Sequence, residues 1–338
     1  MGSRLYHNRL DLAIWKGINM SLEIKVTPIL DSNYVDTREF DRVPIWEKTI
    51  ENEVPAGIPP KCFLGAWYRK VFSSTDEWLG IEGVITLGEF TPDPERFNLD
   101  GKGRYMDNPS VYMGGKSDTE SDCGLGYNLM YTDDDTTQDL QLSSPKLGYR
   151  PFWRYIYQDA TDCDGNVNRR NVNSWNVANP RNLATYYFPG DVVRMKVYSP
   201  CPNYLQMRIE LVKATTNPKY VELRNKYHLP NNEPQTFYSP IFFSKGHGIN
   251  KSEFKRVNSI DQFGNEGYNA QDTNATVSEA IWHECYLYRR IEGKLYKVPF
   301  NDKRQISMIC PNEQAITVKK LNDQGAESII ITPGKVRK

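Results

Sequence analysis

Ser278-Glu279-Ala280-Ile281-Trp282-His283-Glu284-Cys285-Tyr286-Leu287-Tyr288 runs through Arg289-Arg290-Ile291-Glu292-Gly293-Lys294 into Leu295-Tyr296-Lys297-Val298-Pro299-Phe300. The stretch reads as a strand, a turn and a second strand. Side chains alternate across a strand, so strict alternation puts Trp282, Glu284, Tyr286 and Tyr288 in one row and Ile281, His283, Cys285 and Leu287 in the other. One carboxylate among three large rings is an unusual row. An apolar core would not hold Glu284 unpaired, because burying a carboxylate costs several kcal/mol or raises its pKa. The row therefore reads as a polar groove lined with rings, a face covered by a partner, or a plain strand with one solvated carboxylate.

Working outward, other segments have the same character. Pro151-Phe152-Trp153-Arg154-Tyr155-Ile156-Tyr157 sets Trp153, Tyr155 and Tyr157 on one face. Phe63 to Phe72, Trp78 to Phe90, Val111 to Gly115 and Leu125 to Tyr131 are strand-like. Val192–Val197 with Leu205–Leu211 reads as a hairpin, and so does 316–318 with 328–331. The 21 prolines punctuate loops and break helices, and the 21 tyrosines and 7 tryptophans favour strands and binding faces. Many short strands with turn signals between them point to an all-β fold, a two-sheet antiparallel sandwich of the jelly-roll kind. Residues 1–60 read as an N-terminal extension, with an amphipathic segment at Leu10–Ile18 and a strand at Leu22–Val26. The sandwich then occupies 61–335, and the polar, Pro- and Asn-rich stretch 215–275 reads as a loop insertion.

Lys and Arg total 42, as do Asp and Glu, so the formal net charge is 0, which argues against nucleic acid or an anionic membrane as a bulk partner. No run approaches the ~18 apolar residues of a membrane span. The first residues lack a signal-peptide pattern, so the expectation is cytoplasmic synthesis with free thiols, and release by lysis or packaging into a particle. The six cysteines lack C-x-x-C spacing, which disfavours a zinc cage. The four histidines show no metal spacing, and His283 is expected at a core or buried-edge position. Asp162, Asp164 and Asn166 around Gly165 are a candidate calcium ligand set, although an Asx turn accounts for them more simply; no other cofactor is implied.

The order of blocks resembles the glutamic peptidases of the eqolisin family, which have a concanavalin-A-like sandwich. Gly88-Glu89-Phe90-Thr91-Pro92, Val111-Tyr112-Met113-Gly114-Gly115, Phe152 to Tyr157, Pro189-Gly190-Asp191 to Val197 and Ala280 to Phe300 follow the family's sequence of strands. The resemblance implies a catalytic Glu at Glu284, acting as general base on water, with a Gln that holds the tetrahedral intermediate. The Gln position falls near Gly124, where no Gln stands; Gln138 and Gln141 require a shifted alignment. Glu120 and Asp122 lie close by, and a carboxylate pair does acid–base work when the two pKa values are pushed apart.

Three functions fit. The preferred one is a non-catalytic, lectin-like sandwich that binds a glycan or protein partner through an aromatic face of Trp282, Glu284, Tyr286, Trp153 and Tyr155. The second is a structural protein of a particle, coat or inclusion, with self-assembly through the extension and the insertion. The third is an acid-acting glutamic-type endopeptidase using Glu284. The first of these makes the strands 151–157 and 278–288 near neighbours in one sheet.

Overall fold

The computed structural model describes residues 29–30, 37–130, 147–157, 160–161, 167–168, 172–179, 181–229 and 235–334. In chain order the strands are β1 (Ile29–Leu30), β2 (Ala66–Ser73), β3 (Gly80–Thr86), β4 (Phe90–Thr91), β5 (Asp107–Lys116), β6 (Glu120–Leu129), β7 (Leu147–Tyr157), β8 (Ala160–Thr161), β9 (Val167–Asn168) and β10 (Val172–Val177). They continue with β11 (Val192–Tyr198), β12 (Tyr204–Lys213), helix α1 (Pro218–Lys226), β13 (Thr236–Tyr238), β14 (Ile241–Phe243), β15 (Glu253–Gln262), β16 (Thr276–Ile291), β17 (Lys294–Pro299), β18 (Gln305–Cys310), β19 (Ile316–Lys320) and β20 (Glu327–Ile331). Two antiparallel sheets form a sandwich. The larger follows β1-β14-β12-β11-β3-β16-β20-β19, with β4, β13 and β17 at its side. The seven-stranded sheet follows β10-β7-β6-β5-β15-β2-β18. The two hairpins read from alternation, β11–β12 and β19–β20, are both paired in register.

The core between the sheets follows the alternation. β15 sends Phe254 and Ile260 inward, β2 sends Trp67 and Val71, and β11 sends Val193, Met195 and Val197. Fully burying such side chains contributes roughly 1.5–3 kcal/mol each. A buried pair closes the end of the sandwich near α1: Asp191 accepts from the amides of Phe188 and Thr215 and pairs with Arg224 of the helix.

Three expectations need correction. Residues 215–275 are not an excursion. They contain α1 and β15, and β15 lies between β5 and β2, buried almost throughout. Its sequence Glu-Phe-Lys-Arg-Val-Asn-Ser-Ile-Asp-Gln looks polar because its outer face carries charge, not because it is a loop. Strands β7 and β16, expected as neighbours, lie in different sheets. The thiols are not all free: Cys62 and Cys310 are joined, tying the entry of β2 to the end of its neighbour β18, while Cys123, Cys201 and Cys285 stay reduced. Among the described residues no helix is long and apolar enough to cross a membrane. The segments at 10–18 and 22–26 fall outside the described residues. Residues 38–46 lie on the outer face of the larger sheet, where Phe40 is buried against Tyr198 and Tyr288 and Trp46 meets Tyr296.

Candidate functional site

The strand that carries Glu284 does not alternate strictly. Trp282 pairs with Ile85 of β3, and Glu284 with the next residue back, Val84, so one extra residue, His283, is bulged out. A bulge of one residue reverses the parity beyond it. Trp282 therefore points into the core and is fully buried, its indole N–H donating to Asn258 Oδ1 at 2.8 Å. Its ring lies over Gly83, where a Cβ would come within 2.8 Å of it, which is why β3 has a glycine there. Cys285 and Leu287 follow Trp282 inward, while Glu284, Tyr286 and Tyr288 take the outer face. His283, expected in the core or at a buried edge, is exposed, with Nε2 at 2.7 Å from Thr86 Oγ1.

The aromatic row expected as a ligand face is thus divided. Trp282 is in the core. Trp153 packs against the same core from the opposite sheet, with Phe237 at 5.9 Å between ring centres. Tyr155 lies in β7 opposite Ser121 and Ser174, in that other sheet. Only Glu284 and Tyr286 remain together. Tyr286 is buried beneath Lys297, whose ammonium sits 4.6 Å from the ring centre. Its hydroxyl lies 3.3 Å from Glu284 Oε2 and 3.1 Å from Gln324 Oε1, so a Gln that the sequence did not point to comes within one hydroxyl of Glu284. The Gln324 carbonyl accepts from the Cys285 amide at 2.8 Å, which holds the β19–β20 turn against β16 just past the bulge.

Next to Tyr286 across the sheet lies Glu82 of β3. It accepts from Lys196 and Lys297, each at 3.0 Å, and from the Tyr288 hydroxyl at 2.6 Å. Burial alone would raise its pKa, but the two ammonium groups and the hydroxyl hold it down at about 2. Lys196 also donates to the carbonyl of Phe40. The N-terminal segment thus seals a saturated ion cluster.

The outer face of the seven-stranded sheet is different. Glu253 of β15 pairs with Lys116 of β5, and Lys116 with Glu120 of β6, so the three form one row. At the usual strand spacing the two Glu backbones are about 10 Å apart. Beside this row Lys255 is buried and reaches Asp122 Oδ1 at 2.7 Å as well as Glu120 Oε1. Its neighbour across the strands is Gly114, where a Cβ would fall 1.9 Å from the Ser121 carbonyl, so the ammonium crosses β5 unobstructed. Arg154 grips the other Asp122 oxygen at 2.8 Å.

These contacts split the carboxylates. Lys255 lowers the pKa of Glu120 against its desolvation and the repulsion of Asp122. Asp122 would be raised by burial but is held near 2 by Lys255 and Arg154. Glu253 goes the other way: burial raises it, and Lys70, Lys255 and Lys116 only partly offset that. Lys70 of β2 is lowered to about 8 by burial and by Lys255. Rim residues Lys70, Glu120, Arg154 and Glu253 are half-buried, so the face is reachable from solvent. Perturbed groups gathered on one reachable face mark a functional-site candidate.

One sequence signal for this site existed. Glu120 and Asp122 stand two apart on a strand, hence on one face. Glu253 and Lys255 share that spacing, but reading 215–275 as a loop hid it. Gly124, where the counted Gln position falls, cannot take a side chain, because a Cβ would sit 2.3 Å from the Val111 carbonyl. Asp162, Asp164, Asn166, Gln138 and Gln141 lie outside the described residues, and among those described no three His, Cys, Asp or Glu gather as a metal site.

No protein-family model matches the chain, and no curated protein matches it. Solved structures with a similar backbone include Scytalido-glutamic peptidase with a peptide-based transition-state analogue, at 9% identity and a TM-score of 0.43, and with a transition-state-analogue inhibitor, at 10% and 0.42. SCP-B, a member of the eqolisin family in complex with the tripeptide Ala-Ile-His, matches at 11% and 0.37. Each alignment covers 79% of this chain and 98% of the other.

Proposed function

We propose that the chain is an acid-acting hydrolase of peptides whose centre is the outer face of the seven-stranded sheet. The observation that carries this is the row Glu253–Lys116–Glu120, in which two glutamates about 10 Å apart by strand spacing are pushed in opposite directions. Pairs of titratable groups driven apart in this way divide the acid and base roles. Peptide as the substrate follows the resemblance of the sequence blocks.

In this reading ionised Glu120 takes a proton from water as the water attacks the carbonyl carbon. The ammonium of Lys70, which makes no ion pair among the described residues, faces the developing oxyanion. Protonated Glu253 passes its proton to the leaving nitrogen, and the base and acid roles each contribute about 10²–10⁴-fold. Lys255 and Asp122 act as positioning residues that fix the charge state of Glu120. The pH window follows from the directions. Glu120 must be ionised, so activity falls as pH drops through its lowered pKa. Glu253 must be protonated, so activity falls as pH rises through its raised pKa. The optimum therefore brackets the ordinary glutamate value near 4.5.

A second reading is favoured by one contact, the Tyr286 hydroxyl shared by Glu284 and Gln324. With the Gln324 amide turned end for end, its Nε2 donates to the hydroxyl and the hydroxyl donates to Glu284, which links a Glu and a Gln through one tyrosine hydroxyl. One assay separates the two. Reduced, unfolded casein is incubated with the full chain from pH 2 to pH 8, and the products are read by mass spectrometry. The first reading expects a bell-shaped acid profile that Glu253→Gln and Glu120→Gln each remove and Glu284→Gln leaves. Loss with Glu284→Gln and Gln324→Ala alone establishes the second, and no cleavage by the native chain at any pH rejects both.

A further inference from the structure

The connection from β14 to β15, residues 244–250, crosses from one sheet to the other and is fastened to both. On the larger sheet its partner is Asn203, in the turn between β11 and β12. The Asn203 amide donates to the His247 carbonyl at 2.7 Å, its carbonyl accepts from the Ser244 amide at 2.7 Å, and its Oδ1 accepts from the Gly246 amide at 2.8 Å. On the seven-stranded sheet its partner is the turn between β5 and β6. The Thr119 amide donates to the Lys245 carbonyl at 3.2 Å, and Asp118 Oδ1 accepts from Asn250 Nδ2 at 3.1 Å. The approach is close: a Cβ on Gly246 would come 2.5 Å from Ser117 Oγ.

At the centre of these contacts His247 is fully buried. Its ring lies over Gly115, where a Cβ would fall 2.3 Å from Nε2, and it meets the Phe254 ring edge-on with centres 5.7 Å apart. Nδ1 is 3.0 Å from Ser244 Oγ and 3.3 Å from the Ser244 carbonyl, and Ser244 Oγ is 2.7 Å from Ser121 Oγ of β6. A carbonyl only accepts, so Nδ1 carries the proton of the neutral ring. Nε2 has no hydrogen-bond partner among the described residues. On a protonated ring that nitrogen would hold a charged N–H away from water with no acceptor, which is costly.

Burial accordingly pushes the His247 pKa down to about 4, and the Ser244 carbonyl and Asp118 offset only part of that. Asp118 is itself engaged, one oxygen by Asn250 and the other 3.9 Å from the Lys245 ammonium. The remaining charges on the surrounding elements face elsewhere. Lys116 of β5, Glu120 and Asp122 of β6, and Glu253 and Lys255 of β15 lie on the outer face, and Lys251 turns to Asp76. The turn between β11 and β12 adds the Cys201 thiol, which burial keeps neutral at acid pH.

We propose that residues 244–250 are an acid-sensitive clasp, which joins the two sheets while His247 is neutral and releases the β5–β6 turn when the ring takes up a proton. That turn connects Lys116 to Glu120, so its release loosens one end of the row on the outer face. The clasp needs only the buried ring and its contacts, and holds whether or not that face cleaves peptides. The sign follows from the lowered pKa. Closure is complete above the ordinary value of 6.5, weakens as pH falls, and levels off below about pH 4. One proton taken up on opening raises the open fraction by up to about tenfold per pH unit in that window.

The test is amide hydrogen exchange of the full chain, read by peptide mass spectrometry from pH 6.5 to pH 4 and corrected for intrinsic rates. Residues 117–119 and 244–250 are expected to open at least tenfold more often at the acid end, while the β11–β12 hairpin stays protected. His247→Gln stays neutral at every pH and is expected to abolish the rise; His247→Phe takes its place if that chain does not fold. A nuclear magnetic resonance titration of the histidine rings needs no variant and is expected to show one ring that titrates at least one pH unit below the ordinary value. Flat exchange in the native chain, an equal rise in a folded variant, or histidine rings that all titrate at the ordinary value overturns the proposal.

Discussion

The outer faces of the two sheets are built from the same side chains and behave oppositely. On the larger sheet Glu82 is buried with two lysines and a tyrosine, all three bonded to it, and the N-terminal segment lies over the cluster. On the seven-stranded sheet Lys255 is shared between Glu120 and Asp122, and Glu253, one strand beyond β5, is left to be raised by burial. The first arrangement has used up its charge and serves stability. The second keeps two carboxylates in unequal states on a reachable surface. Polar residues on a sheet face therefore say little by themselves; how completely they satisfy one another separates a sealed cluster from one left open to solvent.

That contrast can be broken by experiment. The largest effect expected is on catalysis. Glu253→Gln should lower acid cleavage of unfolded casein about 10²–10⁴-fold while chemical denaturation shows a stability within about 1 kcal/mol of the parent, because a protonated Glu and a Gln are alike there. A large loss of stability instead would make Glu253 structural. Next, Glu82→Ala leaves Lys196 and Lys297 facing a buried vacancy, and urea unfolding should show a loss of about 3–5 kcal/mol. A loss under 1 kcal/mol would mean the cluster is not sealed.

The third prediction concerns acid. Glu82 and Asp122 have folded pKa values near 2, below their ordinary values. A depressed carboxylate pKa contributes stability that is complete above the ordinary value and is lost as pH falls through the folded one. Each contributes on the order of 2–3 kcal/mol by that linkage. Unfolding free energy measured from pH 5 to pH 2 should decline by about that much per group, and the Glu82→Gln chain should decline less. The smallest effect is expected at Glu284→Gln: under 0.5 kcal/mol and under twofold in cleavage, since half-exposed Glu284 holds, among the described residues, only one long side-chain bond, from Tyr286. A large loss of activity there would transfer the site to the other face.

Much of the fold is legible in the sequence because alternation is a strong signal where one face is apolar. Val192–Val197 and Leu205–Leu211 announce their hairpin, and the structure pairs them. Two features defeat that logic. A bulge at His283 adds a single residue, and nothing in Trp-His-Glu marks it, so the row Trp282–Glu284–Tyr286 fails although each side chain after it alternates correctly. β15 carries charge outward and Arg256 and Asn258 inward, so its pattern is polar on both sides and imitates a loop. The candidate site was partly legible: Glu120 and Asp122 stood out as neighbouring carboxylates, but their partners lay on the strand taken for an insertion. Pairing six scattered cysteines needs three dimensions, and Cys62 meets Cys310 only because β2 and β18 are neighbours.

The bond between Cys62 and Cys310 encloses 248 residues of separation, nearly the whole sandwich, in one covalent ring. If the backbone is cut anywhere inside that ring, by an added protease or by the chain itself, the two pieces stay tied. A nicked molecule would run as one band on a denaturing gel and fall into two fragments only when a reductant is added. Self-cleavage could therefore go unseen in every preparation examined without one.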